Sequence, residues 1–383
     1  MSPIAPELLE LRETIARIAG ERIAPRAAEI DRTATYPQDI RELLAENDVF
    51  ALPFATEYGG TGTGTLMLQM AVEEIARADA SCALMLMVQE LGTLPIARFG
   101  SEELRQRFLP RCASGEQIAA FALSEAEAGS DAAAMRTSAV QDGDDWVING
   151  TKAWISNAGI ADFYIVFAVT DRESRRVTAF VVESDRPGFS VAGYEHKLGI
   201  RGSPTGSPVF EDLRIPAANV VGEVGRGMRV ALGTLERSRL GAAAQAVGIA
   251  QGALDHAVAY ARERIAFGQP IIELQGIQFK LADMATGTAA ARALLYEACE
   301  LADREVPPPD LGAFTSMAKL FASDNAMRVT VEAVQVLGGS GYVSDYPLER
   351  MMRDAKITQI YEGTNEIQRV VIARHLAAQP GSS

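Results

Sequence analysis

The sequence predicts a mainly α-helical chain with a β-domain set in its middle. Three observations carry this reading. Residues 4–30 place apolar side chains at mixed three- and four-residue spacings (Leu8, Leu11, Ile15, Ile18), a helical period. Between about 119 and 226, short β-rich runs alternate with turn signals. After Gly227, breakers become scarce and Ala, Leu and Val abundant, so helix resumes.

The elements follow in order. Tyr36-Pro37 breaks the first helical stretch, and residues 38–47 start another. Tyr58-Gly-Gly-Thr-Gly-Thr-Gly64 reads as a flexible loop. Helices resume over 65–78 and 81–99. Strands are expected at 146–148, 163–169, 177–182 and 209–210, with turns at Asp142-Gly143-Asp144-Asp145 and Pro187-Gly188. Their period-two alternation is only partial, as expected where both faces are covered. Residues 228–264 form a long helix, and Pro307-Pro308-Pro309 separates two later ones. Residues 379–383 read as a frayed tail. This order divides the chain at 1–118, 119–228 and 229–383.

Composition narrows the function. At ~150 residues per domain, 383 residues suggest two to three domains. Apolar residues at 48% and charged residues at 22% exclude a disordered or collagen-like chain. Lys and Arg total 36 against 50 Asp and Glu, a net charge of −14. So acidic a chain lacks the basic footprint of a nucleic-acid or anionic-membrane binder. Cys82, Cys112 and Cys299 are scattered, and only three histidines are present, so no metal site is expected. The low cysteine count fits a reducing compartment. The N-terminus shows no export signal. The longest apolar stretch, 82–88, falls short of the ~20 residues that span a bilayer. The chain is therefore read as soluble and cytoplasmic.

Four constellations carry chemistry, each with a plainer alternative. Phe121-Ala-Leu-Ser-Glu-Ala-Glu-Ala-Gly-Ser-Asp131 offers backbone N–H groups and hydroxyls for a polar ring edge or a phosphate; otherwise it is a turn with Asp131 as a helix cap. Lys152-Ala-Trp-Ile-Ser-Asn157 offers an indole to lie against a planar heterocycle and a hydroxyl to reach a ring nitrogen; otherwise it is a strand with a buried Trp. Gln335-Val-Leu-Gly-Gly-Ser-Gly-Tyr342 allows close backbone approach; otherwise Gly338 ends a helix. It is not a GxGxxG after a strand, so a Rossmann fold is not supported. In Tyr361-Glu-Gly-Thr-Asn-Glu-Ile-Gln368, Glu362 on a sharp turn could project into a cavity as a base; otherwise it is a surface Glu near a helix start.

With these motifs in this order, the sequence resembles the acyl-CoA dehydrogenase family over essentially its whole length. Ala122-Leu-Ser-Glu-x-x-Ala-Gly-Ser-Asp131 and Gln335-x-x-Gly-Gly-x-Gly-Tyr-x-x-Asp345 look like its two signatures. Lys197-Leu-Gly-Ile-Arg-Gly-Ser-Pro-Thr205 and Arg264-x-x-Phe-Gly-Gln-Pro270 add two further segments, and the branch looks close to the short-chain, butyryl-type enzymes. The resemblance implies an N-terminal helical domain, a middle β-barrel or sandwich and a C-terminal four-helix bundle. It implies FAD at the junction of the β-domain and the C-terminal helices. Phe121, Leu123, Ser124, Gly129 and Ser130 would contact it, and Trp154, Ile155 and Ser156 would flank the isoalloxazine. Arg264, Phe267, Leu274 and Gln275 would reach FAD from a neighbouring subunit, as would Gln335, Val336, Gly338 and Gly339. Thr364, Asn365 and Glu366 would hold its adenosine or pyrophosphate half. A shared site implies an oligomer, in this family usually a homotetramer.

By the same resemblance Glu362 is the base that removes the α proton of a thioester while a hydride leaves the β carbon for flavin N5. Some branches carry the base on the long helix instead; that position aligns with Ser238 here. Ser130, Glu236, Arg239, Gly363 and Arg374 would contact the acyl-CoA. The helix at 81–91 would line the acyl pocket with Leu84, Met85, Met87 and Val88, which suits an unfunctionalised aliphatic tail. An electron-transfer flavoprotein would accept the electrons. Rival readings are an oxidase, a relative acting on a carrier-protein or branched acyl thioester, and a non-catalytic partner subunit.

Overall fold

The computed structural model describes residues 4–378; the tail expected at 379–383 lies outside the described residues. The N-terminal part comprises α1 (Pro6–Ile18), α2 (Ala27–Thr33), α3 (Gln38–Glu46), α4 (Gly64–Ala78), α5 (Ala80–Phe99) and α6 (Glu102–Ala113). The helical stretch expected at 4–30 is not continuous. A π turn at Ala19–Ile23 and a 3-10 turn at Ala24–Arg26 separate α1 from α2. Pro25 lies there and lacks the N–H that an unbroken α-helix would use.

The β-domain contains β1 (Ala119–Ala122), β2 (Ser138–Asp142), β3 (Asp145–Thr151), β4 (Ile155–Ser156), β5 (Phe163–Asp171), β6 (Arg176–Glu183), β7 (Phe189–Tyr194), β8 (Thr205–Pro216) and β9 (Val220–Val221). Its main path runs β4-β8-β3-β2-β5-β6-β9, with β1 parallel to β5 and β7 antiparallel to β8. Gly143, at φ 63, turns the tight β2–β3 hairpin. Strand β5 is buried from Phe163 to Val169, which explains its lack of alternation. Sequence reading missed β1, whose Ala-Ala-Phe-Ala has little β propensity and is held by pairing with β5.

The C-terminal part comprises α7 (Gly227–Glu263), a hairpin of β10 (Ile265–Ala266) and β11 (Gln269–Pro270), then α8 (Gln275–Ala302), α9 (Leu311–Leu337), α10 (Leu348–Ile357) and α11 (Asn365–Ala378). Helix α7 packs on α9, α8, α4 and α5, and α10 and α11 pack on α9. Small residues let α7 approach α4 closely. A Cβ on Gly248 would lie 2.3 Å from the Glu73 carbonyl oxygen. Gly248→Ala is therefore expected to lower stability by roughly 1–3 kcal/mol, read by denaturant unfolding.

Helix α5 corrects one expectation. Although its unbroken apolar run is short, the whole helix is long and apolar enough to cross a membrane, at mean hydropathy 1.4. Of that window, 83% is buried inside the protein, where α5 is a core helix packed on α7, α4, β1 and α6.

Candidate active site

A crevice of about 620 Å³ opens between the β-domain and the α10–α11 segment. It brings together Ser124, Gly129 and Ser130 after β1, Trp154 and Ser156 around β4, and Glu362, Gly363 and Thr364 before α11. The 195–200 loop forms another wall, fixed to α10 by a hydrogen bond from Ile200 N to Asp354 Oδ1 at 2.5 Å.

The β-side wall is held by a buried ion pair. Lys152, fully buried, donates through Nζ to Glu125 Oε1 at 2.8 Å and to the Leu123 carbonyl at 3.0 Å. Glu125 also accepts from Arg136 N at 2.6 Å and Thr137 N at 3.0 Å. Burial opposes the charge on Glu125, yet Lys152 and these donors hold the carboxylate below its usual range. Burial also pushes Lys152 down to about 8, against the pull of Glu125. The pair ties the loop of the first motif to the β3–β4 connection that begins the second.

Trp154 is not a buried strand residue. It precedes β4, is 53% exposed and lines the crevice with φ 58, a strained value for a bulky side chain. Buried Asn157 supports that turn by donating to the Ala119 carbonyl at 3.0 Å. Nor does Asp131 cap a helix: its side chain makes no cap bond to the short 3-10 turn that follows.

Glu362 also adopts the left-handed region, at φ 55, followed by Gly363 at φ 83. Lys319 and Gln368 fix this turn, each donating to the Gly363 carbonyl at 2.8 Å. Tyr361 adds a hydrogen bond to Gln245 of α7, whose Nε2 reaches the Ala80 carbonyl at 2.8 Å. The Glu362 carboxylate accepts from Ser238 Oγ at 2.7 Å. Burial raises its proton affinity above the ordinary range; Ser238, Arg239 and Lys319 partly oppose this. A carboxylate so poised on a crevice can act as a general base. Ser238 is the position where the resemblance puts the base of other branches, so the two candidate positions meet at one point.

Other expected site residues are placed differently. Phe121, Leu123 and Ile155 turn their side chains into the core, Phe121 with its ring centroid 5.0 Å from that of Phe167; only their backbones remain for a ligand. Val336 is likewise a core residue of α9. Asn365 is buried, its side chain occupied by Lys319, Ser323 and Asp324, so it shapes the turn from within. Thr364 Oγ1 accepts from Ile367 N at 3.3 Å and caps α11, while Glu366 is exposed in its first turn. Arg239 is buried, donating to the Leu235 carbonyl at 2.8 Å and to Ser316, and Glu236 lies beside Gly312. Neither lines the crevice, nor does exposed Arg374.

Arg264, Phe267, Leu274, Gln275 and Gln335 also lie away from the crevice. They sit on the β10–β11 hairpin, at the start of α8 and at the end of α9, with Phe267 94% exposed. Gly338 does end α9, at φ 61, and nothing lies near an added Cβ at Gly338 or Gly339. Sequence reading missed Lys319, Gln245 and the pairing of Lys152 with Glu125. Lys319 and Gln245 are polar residues in stretches that read as ordinary helix, and Glu125 and Lys152 lie in two separate motifs whose pairing only the fold reveals.

Comparison with known proteins agrees with this architecture. The acyl-CoA dehydrogenase N-terminal domain matches residues 5–116, the middle domain 120–213 and the C-terminal domain 225–377. A probable acyl-CoA dehydrogenase, fadE25, of Mycobacterium leprae is 50% identical over 369 residues, covering 96% of this chain and 94% of its own. Butyryl-CoA dehydrogenase from Megasphaera elsdenii superposes with a TM-score of 0.95 at 41% identity, covering 98% of this chain and 99% of its own. A glutaryl-CoA dehydrogenase from Mycobacterium smegmatis in complex with FADH2 superposes at 0.92 with 30% identity, covering 99% and 97%.

The fold is that of a flavin-dependent oxidoreductase. The chain belongs to the acyl-CoA dehydrogenase family. FAD is its cofactor, and the crevice fits the group: an exposed indole and the hydroxyls of Ser124, Ser130 and Ser156 face one space, and nothing lies near an added Cβ at Gly129.

Proposed function

We propose that the chain catalyses α,β-dehydrogenation of a short- or medium-chain acyl-CoA to the trans-2-enoyl-CoA, with Glu362 as the base. The observation that carries this reading is the half-buried Glu362 carboxylate on the crevice, bonded to Ser238 and facing the same space as Trp154 and Ser156. When bound, FAD supplies the hydride acceptor. Ser124, Ser130, Trp154, Ser156 and Thr364 hold it on this subunit. Arg264, Phe267, Leu274, Gln275, Gln335, Gly338 and Gly339 serve a neighbouring subunit of a homotetramer, a reading supported by the exposure of all of them but half-buried Leu274 and by their place away from the crevice.

Glu362 takes the α proton. Its backbone N–H has no acceptor among the described residues and is available to the developing enolate oxygen, an oxyanion-hole role. Arg239 and Lys319 supply positive charge beside the carboxylate and keep its proton affinity from rising further. An electron-transfer flavoprotein receives the electrons, in cytoplasmic fatty-acid β-oxidation.

The test is enoyl-CoA formation by the FAD-loaded protein from butyryl-, octanoyl- and isobutyryl-CoA with a dye acceptor. Turnover of butyryl- or octanoyl-CoA supports the reading and ranks chain length; turnover of isobutyryl-CoA alone, or of none, overturns it. A pH profile adds a second check. A base must be unprotonated to act, and Glu362 is raised, so activity should fall as pH drops through a midpoint above the usual carboxylate range. Ser238→Ala removes a bond that favours the charged form, so this midpoint should move to higher pH. An unmoved profile would exclude Glu362 as the titrating group.

A further inference from the structure

Beneath the face of α7 that carries Ser238 lies a buried polar pair, Gln69 and Glu90, that the expectation of a plain aliphatic tail did not foresee. Ser238, which touches Glu362, and Gly241 lie three residues apart on one face of α7. A Cβ at Gly241 would lie 3.2 Å from Met87 Cγ and 3.7 Å from Gln69 Oε1. The face of α7 that meets the base therefore also meets a methionine and a buried amide. Gln69 is fully buried, and its Nε2 donates to Glu90 Oε2 at 3.2 Å. Its Oε1 has no hydrogen-bond partner among the described residues. A buried acceptor is costly to leave unpaired, so this one marks a place for a ligand group. Glu90, on its other side from Gln69, lines a separate cavity of about 230 Å³ together with Arg237 and Asp303.

We propose that Gln69 and Glu90 form the far end of the acyl site and select a thioester whose acyl tail carries a hydroxyl group. This rests on the reading that the crevice at Glu362 holds an acyl-CoA. A hydroxyl both donates and accepts, so it pairs with the Gln69 amide whichever way that amide faces. Burial pushes Glu90 up to about 8, with Gln69 opposing and the Glu362 charge adding. A mostly neutral acid there favours an uncharged tail over an ammonium and can itself donate.

The experiment uses FAD-loaded Glu362→Gln protein, in which turnover is blocked. Calorimetry compares butyryl-, pentanoyl- and hexanoyl-CoA, each against its ω-hydroxy counterpart, with and without Gln69→Leu. At least one hydroxylated thioester should bind about tenfold tighter than its plain partner. Gln69→Leu should erase that difference while leaving the plain thioester bound. Gln69→Met is a second, more adaptable apolar replacement should leucine disturb the packing. Equal affinities in all three pairs, or a preference that survives both replacements, would overturn the proposal. If none of the six binds, the acyl-CoA reading itself falls and takes the proposal with it.

Discussion

Glu362→Gln should cut enoyl-CoA formation by at least about 10²- to 10⁴-fold while leaving FAD content and acyl-CoA affinity nearly intact. The amide keeps the size of the side chain and can still accept from Ser238, so the turn held by Lys319 and Gln368 should survive. What it loses is the capacity to take a proton. The negative charge also goes, so Arg239 and Lys319 lose their counter-charge, and Lys319, already pushed down to about 7 by burial, should lose its proton more readily. Activity retained near the wild-type level would move the base elsewhere, with Glu236 the next candidate. Product formation by chromatography, with calorimetric affinity measured in parallel, separates a lost base from a lost binding site.

The second large effect is expected at the opposite wall. Lys152→Met should destabilise the protein by about 3–5 kcal/mol, because it leaves the Glu125 carboxylate buried without its cation. The loss should depend on pH. In the wild type, Glu125 is held below its usual range, so its contribution is present above the unfolded carboxylate pKa and is lost as pH falls through the lower folded value. In Lys152→Met the main lowering partner is gone, and acid should relieve part of the damage. Adding Glu125→Leu should restore only part of the stability, since Arg136 N and Thr137 N then lose their acceptor. Denaturant unfolding of the single and double variants gives the coupling, and FAD retention reports whether the loop at 124–130 has moved. A Lys152→Met protein as stable as wild type would show that the pair does not hold this wall.

Much of the fold was legible because it follows from periodicity and breakers. Helices 65–78, 81–99 and 228–264 were placed within one or two residues of α4, α5 and α7. What escaped depends on partners distant in sequence. Strand β1 is a strand only because β5 lies beside it, and the break at Ala19–Ile23 is a local backbone departure within a continuing helical pattern. At the site, Glu362, Gly363, Trp154 and Ser156 could be read from motifs because a turn residue or a rare aromatic marks them. Lys319, Gln245 and Gln69 could not. A polar residue in a helix usually faces water, and only the packing of α4, α7 and α9 shows that these three do not.

The central claim is that Glu362 removes the α proton. Deuterium uptake from D2O at the α carbon of bound butyryl-CoA, followed by mass spectrometry, tests this without relying on product formation. The wild-type protein should incorporate deuterium, and Glu362→Gln should slow that incorporation by at least about 10²-fold. Equal incorporation by the two proteins would contradict the account.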